Sequence, residues 1–245
     1  MRRIKALVAA VALAVSGIAS AITTPADVGG TQNADVLFLA FDQVSKKSFV
    51  LDTNITFASL AAGATGSFNL AANTLWTSFL TQTGGSFEWL MWGGSSASSS
   101  LSLFTKAATD TLPSSLSFST GTNVANLTNL GVTANNFGCL NVVGCSVVLD
   151  GNVTTNWGGD LLGTNSHFVN DVGFKVTGAN GDTMNIYSFA PPPRGQTSDS
   201  ATLLTTVSLS NGTLLVGPVP EPSTYALMVA GLLTVGAVAR RRMRG

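Results

Sequence analysis

The chain of 245 residues carries 12 basic and 12 acidic residues and no net charge, with 26 glycines, two cysteines and one histidine. The zero balance is misleading, because seven of the twelve basic residues lie at the two ends. The stretch 22–220 holds five basic against eleven acidic residues, net −6, which argues against a nucleic-acid-binding surface and against docking on anionic lipid.

In chain order, MRRIKALVAAVALAVSGIASA opens with Arg2, Arg3 and Lys5, continues with a short apolar run from Ala6 to Val15, and ends in the small residues Ala19-Ser20-Ala21. This three-part pattern predicts a secretory signal peptide over 1–21, removed by signal peptidase after Ala21. The stretch 22–218 has a length that suits one exported domain with a real core. It is rich in Ser, Thr, Asn and Gly, and poor in Lys and Glu, which disfavours long exposed helices and suits short strands with many turns.

DVLFLAFD (Asp35 to Asp42) and KSFVLD (Lys47 to Asp52) read as a hairpin. ITFASLAAG (Ile55 to Gly63) and NLAANTLWTSFLTQT (Asn69 to Thr83) have helical spacing, with Leu70, Trp76, Phe79 and Leu80 on one face. SFEWLMW (Ser86 to Trp92) alternates Phe87, Trp89 and Met91 against Glu88, Leu90 and Trp92. Both of its faces are largely apolar, so it is expected to be a central strand. A glycine and serine loop, Gly93 to Ser100, comes next. Further strands are expected at Ser100 to Ala107, Cys145 to Asp150, His167 to Gly178 and Thr183 to Ala190, with a connection from Pro191 to Ser200. Asn211-Gly212, between two alternating runs in Ala201 to Gly217, is the strongest hairpin signal in the chain. The expected fold class is mainly β: an antiparallel two-sheet sandwich-like domain with one or two short helices.

Chemistry is sparse in this region. Cys139 and Cys145, close together in an exported chain, read as a disulfide, and a metal site lacks partners beside the single His167. No G-x-S-x-G elbow accompanies that histidine. A glycosidase pair would have to come from ten aspartates and one glutamate, most of them at strand ends or turns, where aspartate has a backbone role. Asp150-Gly151-Asn152 and Asn180-Gly181-Asp182 read as tight turns or as calcium-binding oxygens. Asn54, Asn126, Asn152 and Asn211 each begin an N-x-[ST] sequon, with Asp52 and Asp150 two residues before the first and third. Trp76, Trp89, Trp92 and Trp157 are the indoles available to a sugar ring. Trp157, in a polar glycine-flanked segment, is the expected glycan contact, and Trp89 is expected in the core. No catalytic residue, metal ligand or cofactor is assigned.

The tail begins with Val219, Pro220, Glu221 and Pro222. Ser223 to Ala239 then carries no charge and as a helix would rise about 25 Å, slightly short of a hydrocarbon core of about 30 Å. A transmembrane helix is expected over about 223–239. The basic end 240–245, with Arg240, Arg241, Arg242 and Arg244, is expected to stop transfer with its charges inside. Motif, apolar run and basic end over 219–245 closely resemble the PEP-CTERM sorting signal of Gram-negative bacteria. The resemblance implies recognition by an exosortase, a membrane-embedded cysteine protease or transpeptidase, with cleavage near the motif. It also implies co-occurrence with exopolysaccharide and biofilm production. The two prolines cannot donate backbone hydrogen bonds and disfavour helix before them, so the motif is presented extended outside the bilayer.

The expected product is an exported protein that passes through an inner-membrane-anchored precursor to the cell surface or extracellular matrix. Its expected role is structural or interactive, without enzymatic activity. The alternatives are a carbohydrate-binding module for exopolysaccharide and, less favoured, a secreted hydrolase.

Overall fold

The computed structural model describes residues 22, 34–94, 102–107, 134–139, 144–151, 177–189 and 201–217. The expected signal peptide and the whole tail from Pro218 onward lie outside the described residues, as do Trp157 and His167.

The described part is mainly β, and all its strand pairs are antiparallel. In chain order it contains β1 (Asp35–Asp42), β2 (Lys47–Thr56), helix α1 (Phe57–Ala61), β3 (Gly66–Asn69), a 3-10 turn (Leu70–Ala72) and helix α2 (Thr74–Thr83). Then come β4 (Glu88–Gly94), β5 (Ser102–Ala107), a π-helical turn (Asn135–Cys139), β6 (Ser146–Asp150), β7 (Thr183–Phe189), β8 (Ala201–Ser210) and β9 (Thr213–Val216). The strand order is β3-β9-β8-β7-β5-β4-β1-β2-β6. Strand β4 pairs with β1 from Glu88 to Trp92, but with β5 only through Gly93 and Gly94. It therefore passes from one sheet, β6-β2-β1-β4, into a second, β5-β7-β8-β9-β3. The two glycines, which by composition suggest a loop, thus extend β4 and carry its link to the second sheet.

Strand β1 is buried along its whole length, as its continuous apolar run requires. Val36, Phe38 and Ala40 enter a core shared with Trp89 and Met91 of β4, Met184 and Ile186 of β7, and Leu209 of β8. Both sheets contribute to this core. Leu37, Leu39 and Phe41 enter a second cluster with Leu90, Trp92, Val147 and Leu149, covered by Ile22, Ala134 and Cys139. The alternation in Ser86 to Trp92 separates into these same two clusters, and β4 lies centrally between β1 and β5.

Helix α2 covers the later part of the stretch Asn69 to Thr83 that the spacing predicts; Leu70 falls in the separate 3-10 turn, because Asn73 is extended and starts a new helix. Asn73 caps it: its side-chain oxygen accepts from the amides of Leu75 (2.9 Å) and Trp76 (3.2 Å). Gly84 ends it at φ 61, a left-handed conformation that glycine adopts without penalty. Trp76 and Phe79 are buried against β2, and Leu80 is partly buried. The Asn73 amide also donates to the Ser146 hydroxyl at 2.9 Å, tying the helix start to β6. Asn73→Ala removes cap and tie together and is expected to cost about 1–2 kcal/mol by urea denaturation; Asn73→Ser restores most of the cap and is expected to recover part of that loss.

Helix α1 is shorter than the spacing predicts. Strand β2 runs on to Thr56, which caps α1 by accepting from Ser59 N–H at 3.1 Å. A bulge falls just before it. Asn54 takes φ 57, the register against β1 shifts between Asp35 and Leu37, and the Thr53 hydroxyl donates to the Val36 carbonyl. Strand β3 has no counterpart among the elements that the sequence predicts. The β8–β9 hairpin turns on Asn211 (φ 50) and Gly212 (φ 71), the paired positive values that an Asn-Gly turn supplies. Among the described residues no helix is long and apolar enough to cross a membrane.

Candidate functional site

Two places are set apart by the fold: a groove beside α2, and the junction where the folded strands meet the tail.

The groove has a volume of about 350 Å³. Its floor is Trp76, Leu80 and Phe87, and its rim is Thr77, Asn180 and Asn211. The floor exists because α2 and the segment entering β4 bring their aromatic rings together. Trp76 and Phe87 meet edge to face at 5.2 Å, and Phe79 and Phe87 do so at 5.8 Å. Trp76 is 2% exposed and offers little beyond an edge, whereas Phe87 is half-buried.

The rim is held by backbone hydrogen bonds. The Gly181 amide donates to the Leu209 carbonyl (2.7 Å), fastening the 179–182 turn to β8. The Ala71 amide donates to the Gly212 carbonyl (3.0 Å), fastening the β8–β9 turn to the 3-10 turn. Gly212 sits so close to Ala71 that an added Cβ would come within 3.0 Å of its side chain. Among the described residues no charged side chain lines the groove.

The other sequence-derived candidates resolve individually. Cys139 and Cys145 are joined in a disulfide. Trp76, Trp89 and Trp92 belong to the core. Trp89 is fixed there by its indole N–H, which donates to the Ala179 carbonyl at 2.6 Å. Asn180-Gly181-Asp182 is a closed turn, in which the Asp182 carboxylate accepts from Ala179 N–H at 2.7 Å. Asp150 forms an ion pair with Lys47 across β6 and β2, and Gly151 N–H donates to the Lys46 carbonyl. Asn152 and Asn126 lie outside the described residues. Asn54 and Asn211 are exposed. Among the described residues no group of three or more His, Cys, Asp or Glu is placed to hold a metal ion.

Two aspartates have displaced acidities. At Asp42, burial raises the pKa, but hydrogen bonds from Ser45 and Val44 outweigh it and hold the carboxyl below its usual range. Asp52 is fully buried. Burial pushes its pKa up, against the lowering pull of the amides of Asn54 and Gly144. Its Oδ1 accepts from Asn54 N–H at 2.8 Å, while Oδ2 has no hydrogen-bond partner among the described residues. The acid of the Asp52-x-Asn54 sequon is thus spent inside the fold.

A carboxyl with a raised folded pKa stabilises the protein fully below the unfolded value near 3.8, and that stability is lost as pH rises through the folded value. Asp52→Asn keeps an acceptor for Asn54 and removes the charge. It is expected to melt above wild type at about pH 7, with the gap closing as pH falls to about 4. A melting-temperature difference that does not change with pH would contradict a buried carboxylate.

At the junction, the Gly217 amide donates to the Thr206 carbonyl (2.9 Å) and the Thr206 hydroxyl donates to the Gly217 carbonyl (2.7 Å). The sheet is therefore bonded up to Gly217, and Pro218 is the next residue. Residues 218–242 match the family model of the PEP-CTERM protein-sorting motif. This match begins directly after the last described residue and takes in Val219 to Pro222, the apolar run and Arg240 to Arg242; Arg244 lies just beyond it. The PEP-CTERM motif marks an exported protein recognised by an exosortase, with a membrane-anchored precursor. Comparison with curated proteins and with solved structures finds no match.

Proposed function

We propose that the 22–218 domain is a non-enzymatic structural or interaction protein of the cell surface or extracellular matrix. In this reading signal peptidase removes 1–21, the 223–239 helix holds the precursor in the inner membrane, and an exosortase releases it near Val219 to Pro222. The observation that carries the proposal is the PEP-CTERM match placed immediately after Gly217, which is hydrogen-bonded to Thr206 of β8. Five residues, 218–222, separate Gly217 from the apolar run and span at most about 18 Å. The exosortase then works beside a folded acidic domain, and Glu221 is the one acidic group next to the apolar run. An association with exopolysaccharide and biofilm belongs to this proposal.

The test is expression of the full chain with and without an exosortase. The expected result is a shorter, membrane-released product only when the enzyme is present, and its loss in Glu221→Ala. An unchanged tail and unchanged membrane retention under both conditions would overturn it.

A second reading, a carbohydrate-binding module, is favoured by the uncharged groove with its aromatic floor and amide rim.

A further inference from the structure

Part of the backbone at and beside the groove's rim is already bonded. Ala71 N–H, Gly212 C=O, Gly181 N–H and Leu209 C=O are bonded to one another. A peptide strand seeking main-chain partners finds those groups taken. The rim also offers side-chain chemistry. The carboxamides of Asn180 and Asn211 are exposed and make no hydrogen bond to described residues. Each offers an acceptor and two donors, a set that matches neighbouring hydroxyl groups, which donate and accept alike. The Thr77 hydroxyl stands on the same rim, where it also reaches back to the Asn73 carbonyl at 3.3 Å.

Charge narrows the ligand further. Among the described residues no cation lines the groove to receive a carboxylate, phosphate or sulfate. The nearest turn carries the exposed Asp182, which repels an anion. The half-buried Phe87 ring supplies an apolar surface for the carbon–hydrogen face of a sugar. The volume of about 350 Å³ lies at the lower end of the range for ligand sites, about 300–1,000 Å³, and suits one or two sugar residues rather than a long chain. The rim is fixed by hydrogen bonds, so little ordering is needed on binding.

We infer that this groove is a subsite for one or two residues of a neutral polysaccharide, with Asn180 and Asn211 reading hydroxyl groups and Phe87 packing on the ring. The inference deepens the carbohydrate-binding reading and rests on it.

The test measures binding of the full chain, purified in detergent, to neutral glucan, mannan and galactan oligosaccharides and to polygalacturonate. The variants are Asn180→Ala with Asn211→Gly, which removes both carboxamides and keeps a turn able to adopt positive φ, and Ala71→Phe, which narrows the groove and leaves its polar groups in place. Thermal melts check that each is folded. The expected result is binding to at least one neutral oligosaccharide, weakened about tenfold or more in the double variant and in Ala71→Phe, with polygalacturonate weaker than the neutral ligand. Neutral-oligosaccharide binding that both folded variants retain unchanged overturns the subsite and leaves the carbohydrate reading standing. Tighter binding of polygalacturonate overturns the neutral assignment. No binding of wild type to any of the four overturns both.

Discussion

Trp89→Ala is expected to lower the unfolding free energy by about 3–5 kcal/mol, measured by urea denaturation. Trp89 is fully buried, and its ring lies 5.9 Å from that of Phe38 in the core shared by the two sheets. Its backbone exchanges two hydrogen bonds with Gly178, at 2.9 and 2.8 Å. Its indole N–H holds Ala179, the first residue of the turn that carries Asn180. The loss therefore has two parts: a cavity, and a released turn. Trp89→Phe separates them. It keeps much of the apolar volume and drops the indole donor, so it is expected to cost about half as much or less. Gly178 permits the close approach, since an added Cβ there would meet Met184 at 3.0 Å and the Trp89 ring at 3.2 Å. A Trp89→Ala protein as stable as wild type would contradict the packing described.

The disulfide carries the other large effect. Converting Cys139 and Cys145 together to alanine is expected to cost about 2–3 kcal/mol, the scale for a short closed loop. Reductant is expected to lower the melting temperature of wild type and leave that of the double variant unchanged. The bond holds the π-helical turn against the face of the first sheet that carries Leu37, Leu39 and Trp92. On its other side, the Cys145 carbonyl accepts from Asp52 N–H at 2.9 Å. Losing the bond loosens the cover over one apolar face and the surroundings of the buried Asp52 together.

Local elements are legible where one physical signal dominates. The β1–β2 hairpin shows in its apolar runs, α2 in the spacing of Trp76, Phe79 and Leu80, and the β8–β9 turn in Asn211-Gly212. Strand β3 is not legible. Gly66, Ser67, Phe68 and Asn69 carry a single large apolar side chain, and the strand exists because β9 lies alongside it. Pairing of that kind is a tertiary fact without a local signature. Glycines 93 and 94 mislead for a related reason: strand pairing uses the backbone, so residues without side chains can still extend a strand. The groove is invisible in the same way. Its floor comes from α2 and Phe87 and its rim from two turns far along the chain, and nothing in the local sequence of Asn180 announces Asn211 or Phe87 as a neighbour. Sequence alone places sugar contact at Trp157, outside the described residues, whereas the groove joins a phenylalanine to two asparagines that read as turn formers. The sorting tail is the most legible part, because its three features are consecutive.

The position of β3 has a consequence in time. Phe68 lies early in the chain, yet within the sheet its strand pairs only with β9, where its partner is Leu214. If the chain is exported N-terminus first, as the expected signal peptide implies, β3 emerges long before that partner and waits, its hydrogen-bonding groups in water. The last of the described strands is the one that closes the sheet, and the sorting-motif match begins two residues after it. Completion of the domain and arrival of its address label are thereby nearly simultaneous, so a protease that waits for the label meets a chain that has only just become able to finish folding.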